Sequence, residues 1–232
     1  MSEYQYYEFR AIDRPLNTEQ KKKVSSLSSR ASVTSHHAFF VYNYGDFRGN
    51  VKRLMENYFD VMQYMANWGS RRLMIRIPSS LIDMKQAKAF FAFEEIDHWT
   101  SKDRKNIILD LNFQDDDQAD WTEGEGWMDE LVGLREELIR GDFRVLYLAW
   151  LKAASNALEM GEINEDTLEP PVPCQLKQLS SAQKAYVKFL DIDKAMISVA
   201  AEQSNNKQEV TVKPEVWIKK YQIKRNRIFL FV

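Results

Sequence analysis

The 232-residue chain has a single cysteine, Cys174, so it holds no internal disulfide and fits a reducing compartment. Its opening, MSEYQYYEF, carries an early acid and no apolar core, which is not the pattern of a secretory signal. The longest strongly apolar run, Val145 to Leu151, is far too short to cross a bilayer, and no membrane insertion is expected. Neither sign of charge dominates. With 32 Lys and Arg against 34 Asp and Glu, the formal charge of −2 gives no whole-chain footprint for nucleic acid. The cytoplasm is the expected location.

Familiar chemical motifs are missing too. There is no G-x-x-x-x-G-K, and Gly124-Glu125-Gly126, which begins like a dinucleotide fingerprint, continues to Asp129 in acidic surroundings that would repel a pyrophosphate. Neither ATP nor NAD is expected, and no cofactor is assigned. Counted from Asp115 as a calcium loop, Asp117 fits the third position, but Ala119 and Asp120 fail the fifth and sixth. The segment reads as a charged loop whose carboxylates favour the start of the next helix. His36 and His37 are neighbours on an expected strand, point to opposite faces, and cannot easily chelate one ion. His98 has no G-x-S-x-G elbow to serve. Cys174 lacks a helix start or histidine that would lower its pKa. No catalytic or metal residue is assigned, and the chain reads as non-catalytic.

What is present is ordinary for a globular protein: 44% hydrophobic and 28% charged residues. Tyr4–Ile12 reads as a strand, broken by Asp13-Arg14-Pro15, and Asn17 or Thr18 caps a polar helix to about Ser29. A strand over Val33–Tyr44 ends at Gly45-Asp46. Apolar residues from Val51 to Ala66 recur at helical spacing after Asn50, which predicts a helix ending at Gly69. Arg72–Ile77 alternates as a strand with Arg72, Met74 and Arg76 on a polar face. Ala89–Glu95 and Ile107–Phe113 form a further strand pair. Beyond Asp115 the chain turns acidic and then helical, with Asp142 to Leu158 apolar round most of its circumference. Glu169-Pro170-Pro171-Val172-Pro173 is a stiff connector, and Ser180 or Ser181 opens another helix. The expected fold is α+β: a mixed sheet with packed helices in the N-terminal half and a mainly helical C-terminal half. The expected divisions are residues 1–114, 115–206, and a basic, poorly ordered or truncated tail over 207–232.

The start MSEYQYYEFRAIDRPL, the loop Tyr42 to Gly49, the run Leu54 to Pro78 and Glu169-Pro170-Pro171-Val172-Pro173 resemble a family of uncharacterised bacterial proteins. The resemblance covers most of the chain up to about residue 204 and implies a bacterial, cytoplasmic protein, with no activity attached. Family members extend further in a helical C-terminal region, and the stretch after Asn206 departs from that pattern.

The most suggestive cluster joins Tyr42, Tyr44, Asp46 and Arg48 in one glycine-marked turn with Trp68, Arg71 and Arg72 in another. If a helix separates them, the two turns lie at its opposite ends. Arginine beside aromatics suits protein interfaces and anion recognition, because a guanidinium both stacks and donates paired hydrogen bonds. The structural alternative has Trp68 packing a helix end and the arginines solvated. The expected role is therefore a protein-binding component of a bacterial cytoplasmic assembly, with a protein partner. One alternative is an enzyme whose site gathers Asp46, Arg48, Arg71, Arg72 and His98. Another is weak nucleic-acid binding through the tail, where Lys213, Lys219, Lys220, Lys224, Arg225 and Arg227 interleave with Trp217, Tyr221 and Phe229.

Overall fold

The computed structural model describes residues 3–115, 123–163, 167–204 and 212–229. The chain divides into two compact units: residues 1–82 with 97–140, and residues 83–96 with 141–232.

The first unit is built on a seven-stranded sheet. Its strands are β1 (Gln5–Arg10), β2 (Ser32–Val33), β3 (His37–Tyr42), β4 (Val61–Ala66), β5 (Arg71–Pro78), β6 (Ile96–Thr100) and β7 (Asn106–Phe113), in the order β2-β3-β1-β4-β5-β7-β6. With the helices it makes an α+β fold, and its registered pairings, β1 with β3 and β4, β2 with β3, and β5 with β4 and β7, are antiparallel rather than mixed.

Helices α1 (Thr18–Ser25) and α2 (Val51–Asn57) start where side-chain caps are available. Asn17 accepts from the Gln20 amide while Gln20 returns a bond to the Asn17 amide, and Asn50 accepts from the Arg53 amide. Both helices cover the sheet face that carries Phe9, Ala38, Phe40, Met62, Met74 and Ile108, with Val24, Leu54 and Met55 packed against it. Short α4 (Trp127–Leu131) and α5 (Gly133–Ile139) bury Met128, Leu131, Leu134 and Leu138, and α5 lies against β5.

Two expectations are corrected here. The helix expected from Val51 to Ala66 stops at Asn57, and Val61–Ala66 is strand β4. Five of the six β4 residues are buried, because the strand has a covered face on either side. Burial on both faces removes the period-2 alternation that would have marked it as a strand. The face of β5 that carries Arg72, Met74 and Arg76 is likewise covered rather than solvated. Met74 is in the core, and Arg76 is buried against Asp60.

The Asp60 carboxylate is the pin of this unit. Fully buried, it takes Arg76 Nε at 3.1 Å and an Arg76 terminal nitrogen at 2.6 Å on one oxygen, and the Ile12 and Asp13 amides at 2.6 and 3.0 Å on the other. Arg135 bonds the Arg76 carbonyl at 2.8 Å and Asp13 at 2.6 Å, tying α5 to the sheet. A buried charge survives only when paired and hydrogen-bonded in this way.

The second unit is helical: α3 (Met84–Ala87), α6 (Arg144–Met160), α7 (Ser181–Phe189), α8 (Lys194–Gln203) and α9 (Pro214–Phe229). Every residue from Val145 to Ser155 of α6 is buried, so the helix is the unit's centre. Ser180 and Gln183 form a capping box for α7. Where a further strand was expected over Ala89–Glu95, the chain turns, and Phe90 and Phe93 pack on Phe143 and Trp150. That packing draws residues 83–96 into the helical unit. The apolar residues of α4 and α5 draw 127–140 to the sheet unit.

The basic tail is helical over Pro214–Phe229. Trp217 and Tyr221 are buried, and Trp217 Nε1 bonds the Thr167 carbonyl at 2.9 Å. Fully buried Glu169 receives Tyr147 at 2.8 Å, Tyr221 at 2.7 Å and Lys220 at 2.7 Å on one oxygen, and its backbone bridges Val212. Trp217 and Tyr221, two of the aromatics that the nucleic-acid alternative would use, thus fasten α9 to α6.

Candidate functional site

The register of β1 brings the two glycine-marked turns together. Tyr42, at the end of β3, and Ala66, at the end of β4, both pair with Gln5. The turns therefore lie at one end of the sheet, not at opposite ends of a helix. β1 also fixes them individually: Gln5 Nε2 bonds the Gly45 carbonyl at 3.0 Å, and the Asn67 side chain accepts from the Tyr4 amide at 3.0 Å.

Because side chains alternate along a strand, Tyr7, Tyr64 and Arg72 share the face that α1 and α2 cover further along. Beyond the helices that face ends in half-buried aromatics. Tyr7 stacks on Phe47 at 4.8 Å and lies 4.4 Å from Tyr64, and Tyr42 meets Tyr7 and Phe47 edge-on at 6.3 and 6.1 Å. The hydroxyls of Tyr7 and Tyr64 reach Gln5 Oε1 at 3.1 and 3.4 Å. Burial, then the mutual contact of the two rings and the nearby Asp46 carboxylate, pushes the Tyr7 hydroxyl well above the ordinary phenolic range. Burial raises Tyr64 in the same direction, and Asp46 adds to it. Both stay neutral hydrogen-bonding groups. Arg72 clamps Asp110 with two bonds at 2.7 and 2.6 Å.

The seven expected residues sort clearly. Tyr42, Asp46 and Arg72 belong to this aromatic end. Tyr44, 80% exposed, and Arg48 join Tyr42 in a pocket of about 210 Å³ that Ser28, Ser29 and Arg30 complete. Trp68 is half-buried in its turn, where its carbonyl accepts from Gln114 at 2.8 Å. Arg71 is spent internally: it faces away from Arg72, is buried, and donates to the Ala66 and Ser70 carbonyls at 2.9 Å, and burial draws its pKa down. The enzyme alternative needed Arg71 and Arg72 on one site, and His98 lies on β6 at the far edge of the sheet. Asp46, Arg48 and Arg72 gather at this end of the sheet, while Arg71 and His98 stand apart from them.

Sequence reasoning missed Ser28, Ser29 and Arg30, which read as the solvated end of a polar helix. The signal was in the pairing of β2. Ser32 opposite Phe39 carries the preceding residues alongside Val41–Asn43.

The remaining expected features are structural. His36 Nδ1 lies 2.9 Å from the Ala11 carbonyl, and His37 Nε2 lies 2.9 Å from Glu8. Cys174 is exposed beside a cavity of about 670 Å³ within the second unit. There Arg144 is held by Asp142 and by the Gln175 and Gln178 carbonyls. Residues 116–122 of the acidic stretch lie outside the described residues. Among the described residues no three His, Cys, Asp or Glu are placed to hold a metal ion, and no helix is long and apolar enough to cross a membrane.

No protein-family model matches the chain, and no match to it is found among curated proteins or solved structures.

Proposed function

We propose that the chain is a non-catalytic binding protein that engages a protein partner through the end of its sheet formed by the Tyr42–Gly49 loop and the Asn67–Ser70 turn. The observation that carries this reading is the half-exposed cluster of Tyr7, Tyr42, Phe47 and Tyr64, rimmed by exposed Tyr44 and by Arg48 and Asp46. Tyrosines give large, rigid contact areas with a polar tip, and Tyr and Arg are the residues that most often anchor interfaces. The cluster is held from behind by Gln5 and the Arg72–Asp110 pair, so little order has to be gained on binding. The resemblance of its opening and loops to a family of bacterial proteins suits a bacterial cytoplasmic setting.

The test is affinity capture from a bacterial host with the wild-type chain and with Tyr44→Ala/Arg48→Ala. The reading expects a stoichiometric protein partner with the wild type and its loss with the variant, at unchanged circular dichroism. A partner retained by the variant, or none with either chain, contradicts it.

A further inference from the structure

We infer that the pocket between the segment after α1 and the end of β3 is a binding site for a phosphate group, either inorganic phosphate or one carried as a monoester. The inference rests on the reading of this end of the sheet as a binding surface, and it names the chemistry that surface would recognise.

Arg30 and Arg48 line the pocket, no carboxylate is among its lining residues, and neither guanidinium makes an ion pair or hydrogen bond with the described residues. Four other arginines of this unit are paired with carboxylates: Arg10 with Glu8, Arg72 with Asp110, Arg76 with Asp60, Arg135 with Asp13. Two unpaired cations held on one small concavity repel each other, and a dianion between them relieves that repulsion. Tyr42 adds a hydroxyl that is buried yet has no hydrogen-bond partner among the described residues. A buried polar atom left unpaired costs free energy that a bound acceptor would recover. Ser28 Oγ accepts from the Arg30 amide at 3.2 Å, which leaves its own proton free to donate.

Size and donor type narrow the ligand. The pocket's volume of about 210 Å³ is that of about seven waters at roughly 30 Å³ each, enough for one tetrahedral oxyanion and the first atoms of its substituent. A phosphate monoester carries about −1.5 to −2 charges near neutral pH and three strong acceptor oxygens. Two planar guanidiniums match those oxygens with paired, charge-assisted bonds, and hydroxyls can fill what remains. A carboxylate would neutralise only one of the two cations. The phosphate can be free or carried on a partner's side chain, and exposed Tyr44 offers an adjoining surface for the latter.

Titration calorimetry of the full chain at low ionic strength, with inorganic phosphate, O-phosphoserine and serine as the probes, tests this with no partner present. It can therefore fail independently of the partner capture. The expected result is saturable one-site binding of a phosphorylated probe and none of serine. Arg30→Gln and Arg48→Gln each weaken it by about tenfold, in line with loss of a charge-assisted bond. Tyr42→Phe, which keeps the ring, also weakens it, and Arg140→Gln, a surface charge elsewhere, does not. Tighter binding of O-phosphoserine than of phosphate identifies a phosphorylated side chain as the source, and equal binding identifies free phosphate. Absence of saturable binding overturns the inference. So does binding that survives Arg30→Gln/Arg48→Gln, or that Arg140→Gln weakens as much as the pocket variants.

Discussion

Tyr42 and Ala66 flank Gln5 from opposite sides, one through the β1–β3 ladder and the other through β1–β4. That register places two loops, distant in sequence, at one end of a sheet and exposes aromatics between them. The binding reading depends on it.

Tyr44 tests whether the rim serves binding or folding. At 80% exposure its ring contributes little to packing, so Tyr44→Ala should leave stability within about 0.5 kcal/mol of wild type while partner binding falls. Urea unfolding and a binding assay on the same preparation measure the two separately.

Asp60→Asn should be among the most damaging conservative changes in the first unit. It leaves the Arg76 guanidinium buried without its counter-charge, a loss of about 3–5 kcal/mol. Denaturant unfolding measures it, and a loss under about 1 kcal/mol would mean that water reaches the pair.

Glu8 gives the first unit a pH dependence of definite sign. Burial disfavours its charge, but hydrogen bonds from His37 and Tyr6 and the nearby Arg10 outweigh that and hold its pKa below the ordinary value. A folded pKa below the unfolded one adds stability that is fully present above about pH 4.3 and is lost as pH falls through the folded value. Thermal unfolding between about pH 6 and pH 3 should show this decline, and Glu8→Gln should flatten it.

Trp217 tests whether α9 belongs to the helical unit. Its ring is fully buried 5.3 Å from Trp150, so Trp217→Ala should cost about 3–5 kcal/mol and speed proteolysis between residues 204 and 214. Unchanged cleavage would mean that α9 is not held there.

Legibility in the sequence followed local chemistry. The caps at Asn17, Asn50 and Ser180 and the alternation of Arg72–Ile77 were visible, because each depends on neighbours in sequence. β4 was not. Met62, Met65 and Ala66, after Tyr58 and Phe59, fall at helical spacing by coincidence, and burial on both faces erases strand alternation. Of the residues at the proposed site, Tyr42, Tyr44, Asp46, Arg48 and Arg72 were singled out from composition. Its assembly was hidden for the same reason as β4: without that strand, the two turns cannot be seen to meet at Gln5. Arg30 was invisible as a partner of Arg48 because only the short β2–β3 ladder brings them together.

The most direct test of the binding reading is photo-crosslinking in bacterial cells, with a photoreactive residue at position 44 and, as a control, at Leu81, which is also exposed but lies outside the site. The account predicts one discrete protein adduct from position 44 and none from position 81. No adduct from position 44, or the same adduct from both positions, would contradict it.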